Sequence, residues 1–294
     1  MTSSKGMTRL RTKNLTLVSI TLFVLLFTWF QSGSVFELDS RLLASTHTAL
    51  PHADFPRVIH QSWKTRTIPR HFEAWSATWT ELNPTYMHQI WSDEDNRNLV
   101  AEHYPWFLKT FDAFESNILR ADTARLFYMH RFGGVYADLD FECLKSLDSL
   151  LDPHQAVLGS MSTGHNVLLR AHSIPNAFMA SKPGHPFWIL CARRIMRTTI
   201  LDPYIYSTEQ RTGPPVMFRC YNEYVDEVRR NPNSLLSQFP VYLAPPDSFT
   251  KEVEQACLAM RSKALNRTRC LDLVDPQRKA HAITYWGHSW TDPY

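Results

Sequence analysis

The chain has 294 residues, 44% hydrophobic and 13% aromatic, with 31 Lys+Arg against 28 Asp+Glu and a formal charge of +3. That apolar fraction and small charge exclude a disordered chain, and the length is ample for a packed core. The excess charge is local: Lys5, Arg9, Arg11 and Lys13 stand among the first thirteen residues with no acid, and the remainder carries a net of −1, which removes global charge as an argument for nucleic-acid binding.

Residues 1–14 read as a cytosolic tail. From Asn14 to Phe36 run 23 residues without a charge, and Leu15–Phe30 is the apolar heart of that run. Sixteen helical residues rise about 24 Å, short of the ~30 Å hydrocarbon core but workable with flanking residues in a thin bilayer. Basic residues before the segment, and Glu37 and Asp39 after it, predict a cytosolic N-terminus and a lumenal remainder. The expectation is a single-pass type II signal anchor over 15–35, in the endoplasmic reticulum or Golgi membrane. A cleaved signal peptide, for which Ser32-Gly33-Ser34 supplies small residues, and a buried core helix are the alternatives. Residues 36–54 read as a polar stem. With no internal repeat and no second linker, 55–294 reads as one lumenal domain.

Within that domain, Arg57–Trp63 alternates enough to be a strand. A helix follows Pro69 to about Leu82, Asn83-Pro84 breaks it, and Tyr86–Trp91 is a second strand. Ser92 followed by Asp93-Glu94-Asp95 has the composition of a helix start, with the acids capping it and offsetting its dipole. Residues 116–131 fit a helix with apolar positions at Ile118, Leu119, Leu126, Phe127 and Met129, and Gly133-Gly134 supplies its stop. Val135–Asp140 is then a short strand leaving the core. Strands alternating with helices indicate an α/β layer structure. Trp63, Trp75, Trp79, Trp91 and Trp106 read as core and cleft wall rather than sugar-stacking platforms, and Arg193, Arg194 and Arg197 as the polar face of a helix.

Only 9 glycines are present, and no GxG occurs, so the dinucleotide fingerprint is absent. Gly159 and Gly164 have the Walker A spacing, but His165-Asn166 stand where Lys and Ser/Thr are required. There is no HExxH and no GxSxG. The 5 cysteines form no CxxC, which argues against a zinc ribbon or a thioredoxin-like site, and their odd number leaves at least one thiol free or intermolecular in an oxidising lumen. Cys257 and Cys270 flank Asn266-Arg267-Thr268, an N-glycosylation acceptor; a local disulfide closing that loop is the expectation, buried thiols the alternative.

The chemistry concentrates at Asp138-Leu139-Asp140, where an apolar strand preceded by a glycine turn ends in two carboxylates. On a strand, positions two apart point to the same side, and the C-terminal edge of an α/β sheet is where ligands bind. Two like charges crowded there repel unless a cation lies between them, and carboxylate oxygens suit Mg²⁺ or Mn²⁺. A surface turn or helix cap is the structural alternative. Upstream, Asp122 and Arg125 at i, i+3 share a helix face. Alone they read as an ordinary ion pair; leading into the Gly-Gly turn, they could instead reach the same cleft.

Arg57–Trp63, Trp91–Asp95, and Leu119–Arg125 through Phe132–Asp140 together resemble glycosyltransferase family 32. This Asp-x-Asp sugar-transferase group includes fungal α-mannosyltransferases acting on N-glycans and on inositol phosphorylceramide. The strongest match spans about 57–150, and Thr212-Gly213-Pro214 and Trp286–Trp290 are similar to later family motifs. The resemblance implies a GT-A-like fold, a single Rossmann-type α/β nucleotide-sugar-binding domain, with a divalent metal (Mn²⁺ or Mg²⁺) and retention of anomeric configuration. By matching position, His60, Gln61 and Trp63 would lie by the nucleotide, in part through backbone contacts. Asp122 and Arg125 would hold the donor sugar and its phosphates. Asp138 would contact the ribose or sugar and share the metal, and Asp140 would be the metal's direct ligand; Asp122, Asp138 and Asp140 form the catalytic set. Thr212 and Gly213 would border sugar and acceptor. The family commonly places a His two residues before the Trp of its last motif. Here that position is Thr284, so His288, two residues beyond Trp286, is the candidate third ligand, with water and diphosphate the alternative.

Breaking a sugar–phosphate bond requires stabilising a departing nucleoside diphosphate, which a carboxylate-held metal supplies without a Gly-rich loop. The leading expectation is a membrane-anchored, metal-dependent retaining transferase. GDP-mannose is the first-choice donor; a glycan, glycolipid or small molecule is the acceptor, and a partner subunit is left open. UDP-galactose or UDP-N-acetylglucosamine is the nearest rival donor, since nothing in the sequence reads the base. A metal-dependent phosphatase would want Thr or Val after the second Asp, where Phe141-Glu142 follow. A catalytically silent transferase-like subunit or lectin is a third reading, against which the intact Asp122, Asp138 and Asp140 argue.

Overall fold

Val-Ile-His-Gln-Ser forms the first strand, β1 (Val58–Ser62), and its first four residues are buried, as befits an inner strand of a sheet covered on both faces. The computed structural model describes residues 54–161, 173–201, 207–250 and 267–285, all belonging to one compact unit, Thr46–Tyr294. The tail, the expected anchor over 15–35, nearly all of the stem, Cys257, Asn266 and His288 lie outside the described residues. Among the described residues no helix is long and apolar enough to cross a membrane.

Helix α1 (Arg70–Leu82) starts directly after Pro69 and ends at Asn83, whose φ of −132° and ψ of 63° lie outside the helical region that a residue preceding proline avoids. Asn83 is buried and ties the helix end down: its Nδ2 donates to the Trp79 carbonyl at 3.0 Å, and its Oδ1 accepts from the Leu147 backbone at 2.9 Å. The chain then forms β2 (Met87–Trp91), parallel to β1 with Val58 opposite Met87. Helix α2 (Asp93–His103) opens with a capping box, in which the Ser92 side chain accepts from the Asp95 backbone and Asp95 from the Ser92 backbone. Pro105 at the first helical position starts α3 (Pro105–Ala113), and α4 (Asn117–Arg131) follows.

Gly133 and Gly134 adopt φ of +65° and +82°, turning the chain from α4 into β3 (Gly134–Ala137), which pairs parallel with β1. The strand expected over 135–140 therefore ends three residues early. Asp138-Leu139-Asp140 is a turn closed by the Phe141 backbone donating to the Asp138 carbonyl at 3.1 Å, so the same-face argument for a strand does not apply. The cause is a change of sheet: β4 (Phe141–Cys143) leaves the main sheet and pairs with β9 (Ala282–Thr284), which pairs in turn with β8 (Phe249–Thr250).

After α5 (Asp148–Leu151), β5 (Ala156–Leu158) and β6 (Phe178–Ser181) extend the main sheet, and β7 (Val241–Leu243) closes it. Its order is β2-β1-β3-β6-β5-β7, with β6 antiparallel to both β3 and β5 and every other pair parallel. Helices α6 (Pro186–Leu201) and α7 (Thr208–Thr212) pack with α4, α8 (Pro214–Arg230) packs against α6 and α7, and α9 (Arg267–Val274) precedes β9. The architecture is thus a mixed α/β domain with three consecutive parallel strands, β2-β1-β3, at one end.

The core between main sheet and α1 is built from Ile59, Trp79, Val135, Phe141, Val157 and Phe178. Each such buried side chain contributes roughly 1.5–3 kcal/mol. Trp79 is fully buried and donates its indole N–H to the Phe141 carbonyl at 2.9 Å, joining α1 to the strand that follows the acidic turn. The core reading of this tryptophan holds.

Candidate active site

A cleft of about 400 Å³ opens at the C-terminal ends of β1 and β3, lined by Trp63, Arg125, Tyr136, Asp138, Asp140 and Thr284 among others. The edge where parallel strands end is where α/β sheets bind ligands. Although Asp138 and Asp140 come from a turn rather than a strand, both face this cleft.

The floor is a charged network inside the protein. Arg125 is 5% exposed, yet it meets Asp122 Oδ1 at 3.0 Å and Asp138 Oδ1 at 3.1 Å, donates to the Asn176 carbonyl at 2.8 Å, and lies over the Tyr136 ring at 4.6 Å. Burial works against its charge, but the attraction of Asp138, Tyr136 and Asp122 prevails and holds the guanidinium above its ordinary pKa. Asp122 is buried and accepts from Asn176 Nδ2 and from Thr212 Oγ1, both at 2.9 Å. With Arg125 as third partner, both of its oxygens are engaged by the protein. Asp122 therefore touches the cleft wall and chiefly holds Arg125, Asn176 and the end of α7 in place.

Asp138 Oδ1 also accepts from the Tyr136 hydroxyl at 2.6 Å. Burial pushes its carboxyl up to about 6; Arg125 opposes that shift and the neighbouring Asp140 adds to it. A carboxylate pair that repels itself in this way is relieved by a cation. The chemistry of the pair fits a hard divalent ion. Among the described residues no group of three or more His, Cys, Asp or Glu is placed to hold a metal. Thr284 lines the cleft opposite Phe141 in the β4–β9 ladder, and the next backbone N–H, of Tyr285, donates to the Asp140 carbonyl at 2.9 Å.

Residues 69–157 match the family model described as a glycosyltransferase sugar-binding region containing a DXD motif. Inositol phosphoceramide mannosyltransferase 3 of Schizosaccharomyces pombe is 36% identical over 163 residues, 55% of this chain and 43% of that protein. The chain belongs to glycosyltransferase family 32. Inositol phosphoceramide mannosyltransferase 2 of the same yeast is 32% identical over 199 residues, 67% of this chain and 54% of that relative. The family 32 chain thus matches about half the length of these curated relatives. Among solved structures, a PaToxG glycosyltransferase aligns at 18% identity with a TM-score of 0.46, covering 70% of this chain and 83% of that one.

The family 32 motifs do not all reach the cleft. His60 is buried: one ring nitrogen, Nε2, donates to the Gly133 carbonyl at 2.9 Å and the other, Nδ1, accepts from the Trp91 indole at 3.0 Å. Burial lowers its pKa to about 4, so its side chain is a neutral strut between β1 and the glycine turn. Gln61 is likewise interior. Its Oε1 accepts from Ser76 at 2.6 Å and His88 at 2.9 Å, and its Nε2 donates to the Asp138 carbonyl at 3.4 Å, so it braces the acidic turn from behind. Ser62, which ends this strand, and Trp63 and Lys64, which follow it, line the cleft. Gly213 lines it as well, while Thr212 is buried and reaches it only through Asp122.

Three further cleft residues of this family 32 chain carry no signal in the sequence pattern. Asn176 bridges Asp122, Arg125 and the Thr212 carbonyl, but follows Pro175 in a segment without periodicity. Tyr136 reads as one more apolar strand residue, although its hydroxyl holds Asp138. Asp93 stands in the first turn of α2, behind the Ser92 cap, and also faces the cleft, where its Oδ2 accepts from Asn117 at 2.9 Å.

Proposed function

We propose that this cleft transfers a hexose, mannose from GDP-mannose in the first instance, to a glycan or glycolipid acceptor with retention of configuration. The supporting observation is the fixed array Asp122–Arg125–Tyr136–Asp138, which presents Asp138 and Asp140 to a cleft at the strand ends. The mixed sheet with a parallel β2-β1-β3 end is consistent with a GT-A-like arrangement. UDP-linked hexoses are the alternative donors. The uncharged run at 15–35 supports a type II anchor in the endoplasmic reticulum or Golgi, with the catalytic domain lumenal.

In this mechanism Asp138 and Asp140 would hold Mn²⁺ or Mg²⁺, with His288 or the diphosphate itself completing the set. When bound, the ion supplies a Lewis acid that stabilises the departing diphosphate. The protein contributes orientation. Arg125 is held charged and immobile, so it offers a fixed cation to developing negative charge without reorganising. Asp122 and Asn176 keep that guanidinium in place. Trp63 walls the cleft beside the exposed Lys64, whose ammonium lies 5.5 Å over the indole. Thr208 and Glu209, in the first turn of α7, line the cleft and would meet an acceptor hydroxyl.

The full chain in detergent, incubated with a panel of nucleotide sugars and Mn²⁺, is expected to release GDP from GDP-mannose faster than UDP from any UDP-hexose. Inorganic phosphate from simple monoesters with no nucleotide released from any donor would overturn the transfer reading. Thr284→His tests the metal set separately. It places an imidazole on the cleft wall beside Asp140 and is expected to lower the Mn²⁺ concentration for half-maximal activity about tenfold. An unchanged Mn²⁺ requirement would remove Thr284 from the vicinity of the ion.

A further inference from the structure

The cysteines divide into three kinds. Cys270 on α9 is disulfide-bonded, whereas Cys143, Cys191 and Cys220 are buried free thiols. Cys143 stands on β4 with its own polar partners: Asn83 Nδ2 donates to its sulfur at 3.5 Å, and its S–H donates to the Lys145 carbonyl at 3.1 Å. Cys191 and Cys220 differ. They lie on α6 and α8, which pack together, and the two thiols hydrogen-bond to each other. Three residues on along both helices, Arg194 pairs with Glu223, so the helices keep one register across successive turns.

We propose that Cys191 and Cys220 form a second disulfide, joining α6 to α8, wherever the chain folds under the oxidising conditions that the Cys270 disulfide requires. The pair then accounts for the odd cysteine count, with Cys143 as the single remaining thiol. A disulfide of the glutathione type is the oxidant. One cysteine thiolate attacks a glutathione-disulfide sulfur and expels a glutathione thiolate. The other then attacks the protein sulfur of that mixed disulfide and expels the second. Two electrons and two protons pass from the cysteine pair to two glutathione molecules. The bond forms during folding, because in the finished structure burial raises the Cys191 pKa well above its usual value and leaves little thiolate. For the same reason it persists once made.

The placement gives the bond a consequence. Helix α8 begins at Pro214, directly after Gly213 on the cleft wall, and α6 packs on α4, which carries Asp122 and Arg125. The link closes a loop of about 30 residues, which constrains the unfolded chain and is expected to raise the melting temperature by roughly 5–10 °C. It is independent of which sugar the cleft transfers, or whether it transfers one.

The test is thiol mapping of the full chain in detergent, folded in a glutathione buffer poised at about −180 to −210 mV. After denaturation and alkylation without reduction, the expected result is a peptide containing Cys191 joined to one containing Cys220, with Cys143 carrying the alkyl label. Label on both Cys191 and Cys220 would overturn the proposal. As a second measurement, dithiothreitol is expected to lower the melting temperature of the wild type by roughly 5–10 °C more than that of Cys191→Ala/Cys220→Ala. Equal shifts in the two proteins would also overturn it.

Discussion

Arg125→Met is expected to cost about 3–5 kcal/mol of folding stability and to abolish nucleotide release from the donor. Methionine keeps much of the side-chain volume but removes the charge that two carboxylates share, Asp122 at 3.0 Å and Asp138 at 3.1 Å. Asp122, with its side chain 10% exposed, cannot recover solvation, and the Asn176 carbonyl loses a donor. Asp138, 32% exposed, is relieved in part by water, which places the cost nearer the lower end of the range. The functional loss has a separate cause. Arg125 holds the Asp138 pKa down against burial and Asp140, so its removal drives that pKa upward from about 6 and raises the protonated share of the carboxyl at neutral pH. A protonated Asp138 is a poor metal ligand. Urea unfolding with a donor-cleavage assay checks both parts; a variant within 1 kcal/mol of wild type, or with normal cleavage, would contradict them.

Gly134→Ala is expected to destabilise the domain by about 3 kcal/mol or more, although it adds one methyl group far from solvent. Gly134 sits at φ +82°, where a Cβ is strained in any surroundings. The surroundings are also closed: a Cβ would lie 2.4 Å from both the Val58 carbonyl oxygen and Val58 Cγ1. Val58 opens β1, so relief requires β1 and β3 to move apart at the centre of the parallel part of the sheet. The acidic turn begins four residues downstream, and activity is expected to fall with stability. A thermal shift of less than a few degrees would show that the strands yield more readily than this packing implies.

The first half of the domain was largely legible because its signals are local. Proline before α1, Asn83-Pro84 after it, the Ser92 capping box and the glycine pair after α4 each act within a few residues, and each element stands where they place it. Asp138 was misassigned to a strand for a non-local reason: β4 pairs with β9, some 140 residues away, and that pairing pulls the chain into a turn. The cleft shows the same division. Asp122, Arg125, Asp138 and Asp140 could be named from spacing and resemblance. The inward turn of His60 depends on Gly133 and Trp91, and the role of Asn176 on Asp122, contacts with no trace in either local pattern. The strands beyond residue 150 went unread because short buried strands such as β5 and β6, with three and four residues, offer too little periodicity to distinguish them from helix.

The central claim is that the turn at Asp138–Asp140 is where a nucleotide-sugar donor is cleaved. Nucleotide release from GDP-mannose by Asp140→Ala at saturating Mn²⁺ tests it most directly, with thermal unfolding of the same preparation as a check that the fold is kept. The variant is expected to fold normally and to release GDP at least 100-fold more slowly than wild type. Equal rates in the two proteins would place the chemistry elsewhere.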